Sequence, residues 1–173
     1  MDTLVIFYSL TGRTHYEAKH LAQDIGADRY EVYERKYRSR LNVSLTGRSQ
    51  ARKRVNIPIE PIAVDFNDFD RIIIMAPIWG GYPAPAFNSI LNEIPKGKQI
   101  EIILTSDSGK MKDEEELKKI VESKGCVLTK LEVMKTIDLN KRDKLHYERV
   151  MKEKAEEEKR IAELASEESD KNA

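Results

Sequence analysis

The six residues Ser9-Leu10-Thr11-Gly12-Arg13-Thr14 gather three hydroxyl side chains, a glycine and a cation. They follow the apolar run Leu4-Val5-Ile6-Phe7-Tyr8 and precede a segment with helical spacing. A helix N-terminus leaves backbone N–H groups without intrahelical partners, and its dipole favours negative charge. Hydroxyls add donors at such a place, and glycine lets backbone approach a ligand closely. The chemistry that suits this stretch is holding a phosphate. Ser and Thr are also good helix caps, so an ordinary N-capped turn is the competing reading.

Two further loops carry chemistry. Pro77-Ile78-Trp79-Gly80-Gly81-Tyr82-Pro83-Ala84-Pro85 holds the only tryptophan, a glycine pair and three prolines. Prolines stiffen such a loop while glycines permit unusual dihedrals. Trp79 suits stacking on a planar ring; the competing reading is a core tryptophan. The third loop, Thr105-Ser106-Asp107-Ser108-Gly109-Lys110, offers hydroxyls, backbone donors and a carboxylate. Ser108 and His146 have no spacing that places them together as a nucleophile and base. His15 and His20 lack neighbours at metal-ligand spacing and read as surface residues.

The elements that must position these loops follow from the apolar pattern. Residues 3–8 are a continuous apolar run, which suggests a strand buried on both faces. Residues 12–25 read as a helix with Tyr16, Ala18, Leu21, Ala22 and Ile25 on its apolar stripe, stopped by Gly26. A second strand is expected at 30–36. From Arg35 to Arg54 there are eight Lys/Arg and no acidic residue, read as a loop with a short helix. That segment is either a basic patch for an anionic ligand or acidic partner, or a solvated connection. Residues 57–70 read as an extended approach to a third strand at 71–76, which Pro77 ends. A helix over about 84–93 places Phe87, Ile90, Leu91 and Ile94 inward. A fourth strand is expected at 99–105, then a helix at 112–124 with Leu117, Ile120 and Val121 inward, stopped by Gly125. A fifth strand is expected at 126–134. Residues 139–168 are helical in composition but sparse in apolar residues, and the end reads as disordered. The expected division is a domain at 1–137 and a charged helix with its tail at 138–173.

Strands alternating with helices argue for a doubly wound parallel α/β sheet with helices on both faces. In such sheets ligands bind beyond the carboxyl ends of the strands, where the three loops lie. Together the loops suit a ligand with a phosphate tail and a planar ring. With 173 residues, 40% of them hydrophobic, the chain can build a sizeable core. The formal net charge of zero gives no global case for nucleic-acid or membrane binding. Cys126, the only cysteine, cannot form an intramolecular disulfide and reads as a buried thiol. A soluble, cytoplasmic protein is the expectation.

Residues 1–137 resemble the flavodoxin family. Ser9 to Thr14 is similar to its phosphate loop, hydroxyl–x–Thr–Gly–x–Thr, and Ala76 to Pro83 is similar to its second flavin loop. The resemblance implies a five-stranded sheet of order 2-1-3-4-5 with FMN at its switch point. It implies that Ser9, Thr11, Gly12, Arg13 and Thr14 hold the phosphate. Pro77, Ile78, Trp79, Gly80, Gly81 and Tyr82 would flank the isoalloxazine, with a carbonyl of the Gly80-Gly81 backbone turning toward it. Thr105, Ser106, Asp107 and Gly109 would meet its pyrimidine side. The chain departs from the family in Arg13, where Asn is common, in lacking a tyrosine on the third loop, and in being neutral rather than acidic. Arg13 or Lys110 near the flavin would raise its potential.

Three functions are consistent with these residues. The leading one is an FMN-binding electron-transfer protein, passing electrons to a redox partner protein or a small-molecule acceptor. The second is an FMN-dependent NAD(P)H:quinone-type reductase, although no separate nicotinamide motif is present. The third is a non-redox interaction module on the same fold.

Overall fold

A computed structural model describes residues 2–36, 41, 43–136, 156 and 160. Contacts separate the chain into one unit spanning Met1–Ile137 and another spanning Asp138–Ala173. Apart from Glu156 and Arg160, which are helical, the expected C-terminal helix and tail lie outside the described residues.

The first unit alternates strand and helix. Its elements are β1 (Thr3–Phe7), α1 (Arg13–Ile25), β2 (Asp28–Glu31), α2 (Arg48–Arg52), β3 (Arg71–Trp79), β4 (Tyr82–Pro83), α3 (Pro85–Glu93), β5 (Gln99–Ser106), α4 (Glu114–Ser123) and β6 (Val127–Lys135). A π-helical turn, Val43–Gly47, leads into α2, and a 3₁₀ turn, Phe66–Asp68, precedes β3. The long strands pair in the order β2-β1-β3-β5-β6, all parallel, while β4 is a two-residue arm antiparallel to β3. Counting parallel strands alone, this is the expected 2-1-3-4-5 order.

Alternation along the strands builds two cores. Leu4, Ile6, Ile72, Ile74, Ile100 and Ile102 face α3 and α4, meeting Phe87, Ile90, Leu91, Leu117 and Val121. Val5, Phe7, Ile73, Met75 and Ile103 face α1, which meets them through Ala18 and Ala22. These small residues let the helix axis approach the sheet closely. Both faces of β1 and β3 are therefore covered, which explains their unbroken apolar runs. Gly26, at φ 65°, ends α1, and its N–H and that of Ala27 return to the last turn.

Several boundaries differ from the sequence reading. The second strand is Asp28–Glu31 rather than 30–36, because the alternation there serves two pairings. Val32 N–H still donates to Phe7 O, whereas Glu34 bridges Ile59 in antiparallel fashion. Pro77 does not end β3. The strand continues to Trp79, since Pro77 lies at the top of the β5 ladder opposite Thr105, and its carbonyl accepts the N–H of Ala84. The extended approach at 57–70 contains the 3₁₀ turn at Phe66, capped by Asp65. Strand β6 carries a register shift opposite Ile100 and Glu101, and Thr129 Oγ1 donates to Ile100 O there. Ile25, expected on the apolar stripe of α1, is exposed.

His15 is not a surface residue. Its Nδ1 lies 2.7 Å from Glu31 Oε2, and its ring meets Phe7 edge-on. The parallel pairing of β1 with β2 brings Glu31 there, a contact that local spacing does not reveal. His20 packs its ring on Tyr16.

Candidate functional site

The loops that leave the carboxyl ends of β1, β3 and β5 enclose one cleft. It is lined by Leu10, Thr11, Arg13, Thr14, Pro77, Ile78, Trp79, Thr105, Ser106, Asp107 and Thr136.

The first loop presents the start of α1. Gly12 occupies the N-cap position at φ 85°, a left-handed backbone that favours glycine. No side chain caps this helix. Ser9 Oγ instead accepts the N–H of Gly12 at 3.0 Å, and Ser9 is buried. The loop is thus shaped by its own serine while the first turn of α1 stays open to an acceptor. The loop therefore departs from a turn with Ser or Thr at the N-cap position. Thr14 is buried in that turn, with its hydroxyl 2.8 Å from that of Thr105.

The second loop is a tight hairpin. Ile78 pairs with Pro83 and Trp79 with Tyr82, leaving Gly80 and Gly81 as the two turn residues at φ 64° and 100°. Two consecutive positive φ values are what a type I′ hairpin demands. Trp79 is only 8% exposed, sits in the larger core beside the edge of Tyr8, and also forms cleft wall. The indole is therefore a core residue that also borders the cleft. Gly47 lies beneath it: a Cβ there would stand 3.3 Å from the indole.

The third loop closes the far side. Arg13 forms an ion pair with Asp107, linking the first loop to the third. Thr136 Oγ1 donates to the same carboxylate at 2.8 Å, and Thr136 N–H donates to Ser106 O. Lys112 N–H donates to Gly81 O at 2.7 Å, tying the third loop to the hairpin turn.

Nine of the fifteen residues singled out from the sequence line the cleft: Thr11, Arg13, Thr14, Pro77, Ile78, Trp79, Thr105, Ser106 and Asp107. Ser9 and Gly12 shape the first loop instead, Gly80 and Gly81 form the hairpin turn, and Tyr82 pairs with Trp79. Gly109, at φ 68°, packs under Lys135. Leu10 and Thr136 line the cleft without having been singled out. Thr136 falls just past the expected end of the fifth strand, so the loop after that strand was the available signal. Among the described residues no group of three or more His, Cys, Asp or Glu could hold a metal, and no described helix is long and apolar enough to cross a membrane.

The cleft brings together backbone N–H groups, hydroxyls, the paired Arg13 and Asp107, and apolar and indole surface. That set of chemistries fits an anion joined to a planar heterocycle.

No protein-family model matches the sequence, and no curated protein matches it. Solved structures do. The chain is similar to a flavoprotein from Lactobacillus acidophilus NCFM in complex with FMN (20% identity, 76% of this chain and 92% of that one, TM-score 0.63). It is similar to a protein from Bacteroides eggerthii DSM 20697 provisionally described as a flavoprotein (19% identity, 87% and 98% covered, TM-score 0.64). Two-electron reduced flavodoxin of Megasphaera elsdenii also aligns (14% identity, 79% and 88% covered, TM-score 0.50). The chain has the flavodoxin-like fold.

Proposed function

We propose that this protein binds FMN in the cleft and serves as an electron-transfer flavoprotein. The observation that carries the reading is the meeting, in one cleft, of an uncapped helix N-terminus and the indole of Trp79. The structural likeness to a flavoprotein solved with FMN supports it.

In this reading the first-turn N–H groups of α1, with Thr11, Thr14 and Arg13, hold the phosphate. Pro77, Ile78 and Trp79 supply apolar surface for the ring and exclude water from one side of it. Ser106, Thr105 and Asp107 would meet the ring's hydrogen-bonding edge. Gly81 O is already held by Lys112 N–H, so a carbonyl offered from the hairpin turn is that of Gly80. Bound FMN would supply the one- and two-electron chemistry, while the chain binds it and sets its environment.

Trp79 is the only tryptophan, which makes the test direct. Titration with FMN is expected to quench its fluorescence with a saturable, single-site curve. Riboflavin, lacking the phosphate, is expected to bind at least about tenfold more weakly, as one lost set of charge-assisted hydrogen bonds implies. Absence of quenching, with no visible flavin band after gel filtration, would overturn the proposal. Steady-state NAD(P)H oxidation by the pure holoprotein would instead favour the reductase reading.

A further inference from the structure

The segment around α2 stands out in the sequence for its charge, but its inward stripe is uncharged. Val43, Gly47 and Ala51 recur at every fourth position. Val43 packs on the larger core, Ala51 is buried in it, and Gly47 is buried as well. None of the three lines the cleft. Two of them are the smallest residues there are, so the backbone of this segment can come close to whatever lies beneath.

What lies beneath Gly47 is Trp79. A Cβ at Gly47 would stand 3.3 Å from Cε3 and 3.4 Å from Cζ3 of the indole, inside the separation at which carbon atoms pack best. The backbone does not call for glycine here. Its φ of −60° and ψ of −40° are ordinary helical values, which alanine adopts at less cost. Close approach to the indole is what the missing side chain accomplishes. Arg48, the next residue, lays its stem along Gly80, with Cβ, Cγ and Cδ 3.4–3.7 Å from where a Cβ would stand. The same segment therefore also backs the turn that follows Trp79. A further contact comes from Tyr8, whose ring meets the indole at 75° and 6.0 Å and whose hydroxyl donates to Glu34 Oε1 at 2.5 Å.

We propose that Gly47 is a positioning residue for the ring wall of the cleft: by lacking a Cβ, it sets how the indole of Trp79 seats and so what surface the cleft presents to a bound ring. The inference rests on the flavin reading for one point, that the bound ring is that of FMN. The seating of the indole does not depend on it. A methyl group at position 47 requires its neighbour to give by a few tenths of an ångström. Contact between packed rings weakens over displacements of that order.

Trp79 is the only tryptophan, so its emission reports the seating without any ligand. Gly47→Ala is expected to move the emission maximum and to raise quenching by acrylamide, because the natural indole is only 8% exposed. FMN affinity, read from the flavin's own emission, is expected to fall about three- to tenfold, the worth of one well-set aromatic contact. Trp79→Phe keeps an aromatic ring but removes the indole. Adding Gly47→Ala to it is expected to change FMN affinity by less than about twofold, since the effect runs through the indole. Unchanged emission and quenching in Gly47→Ala overturns the proposal. So does a moved emission with FMN affinity intact, or an equal loss of affinity with and without the indole. Should Gly47→Ala alone fail to fold, the comparison of Trp79→Phe with the double variant decides: equal affinities uphold the proposal and a weaker double variant overturns it. Failure of the natural chain to take up FMN, with the emission shift present, would strike the flavin reading and leave the seating of the indole by Gly47 standing.

Discussion

The hydroxyls of Thr14 and Thr105 lie 2.8 Å apart in the interior, joining the first turn of α1 to the end of β5 across 91 residues of chain. One hydroxyl must donate and the other accept, so neither is satisfied alone. Replacing Thr105 by Val strands the Thr14 hydroxyl in a buried site, and the expected cost is about 1–3 kcal/mol in urea denaturation. The double variant Thr14→Val/Thr105→Val removes both polar groups and is expected to cost clearly less than the sum of the single changes. Additive losses would show that the two hydroxyls are not coupled.

The hairpin turn makes a graded prediction. Gly80 has φ 64°, within the left-handed region that other residues visit at a cost of about 1–2 kcal/mol. Gly81 has φ 100°, which is less accessible, and its added Cβ would meet the stem of Lys112. Gly81→Ala is therefore expected to lower the denaturation midpoint more than Gly80→Ala. Equal losses would show that neither the difference in φ nor the stem of Lys112 separates the two positions.

Glu17 gives a pH prediction. Burial pushes its carboxyl above the ordinary carboxylate range, partly opposed by the neighbouring His20. A raised folded-state pKa means that the native protein holds this proton more tightly than the unfolded chain. The associated stability is present below the unfolded value of about 4.3 and is lost as pH rises through the folded one. Glu17→Gln is expected to be more stable than the natural chain at pH 7, with the advantage shrinking as the buffer is taken down to pH 4. Thermal unfolding at the two pH values measures this; an advantage that grows on acidification would reverse the sign.

Arg71 and Glu101 form a two-pronged pair on adjacent strands, Nε to Oε1 at 2.7 Å and Nη2 to Oε2 at 2.8 Å. The hydrogen bond to Glu101 holds the Arg71 guanidinium above its ordinary pKa, against a smaller opposing effect of burial. Paired forks fix geometry as well as charge. Glu101→Gln is expected to cost about 1 kcal/mol, discounted for the partial exposure of Arg71. Glu115→Gln, at the exposed pair with Lys118, is expected to have a smaller effect in the same denaturation assay.

Much of this architecture can be read from local signals. The apolar runs at 3–8 and 71–76, the stop at Gly26 and the inward set Phe87, Ile90, Leu91 and Ile94 each follow from periodicity or backbone freedom, which need no tertiary knowledge. What escapes is decided by pairing. Pro77 lacks an N–H and so reads as a stop, yet its carbonyl still has a partner in Ala84 and the strand runs on. His15 looks solvent-facing until β2 delivers Glu31. Thr136 reaches the cleft because of the β5–β6 register, and nothing in its neighbourhood along the chain announces that. The cleft itself was legible through three loops because the fold class fixes which strand ends converge.

The position of β1 has a consequence for how the chain is made. Leu4 to Phe7 leave the ribosome before β3, yet they lie between β2 and β3, and the Thr3↔Arg71 to Phe7↔Met75 pairing cannot form until β3 has followed. Until then this strand has an unpaired edge and an uncovered apolar face, the features that drive wrong association of nascent chains. Any fragment that ends before Arg71 keeps that liability permanently, so premature termination or proteolysis in the basic 35–54 segment would yield a chaperone substrate rather than a smaller working domain.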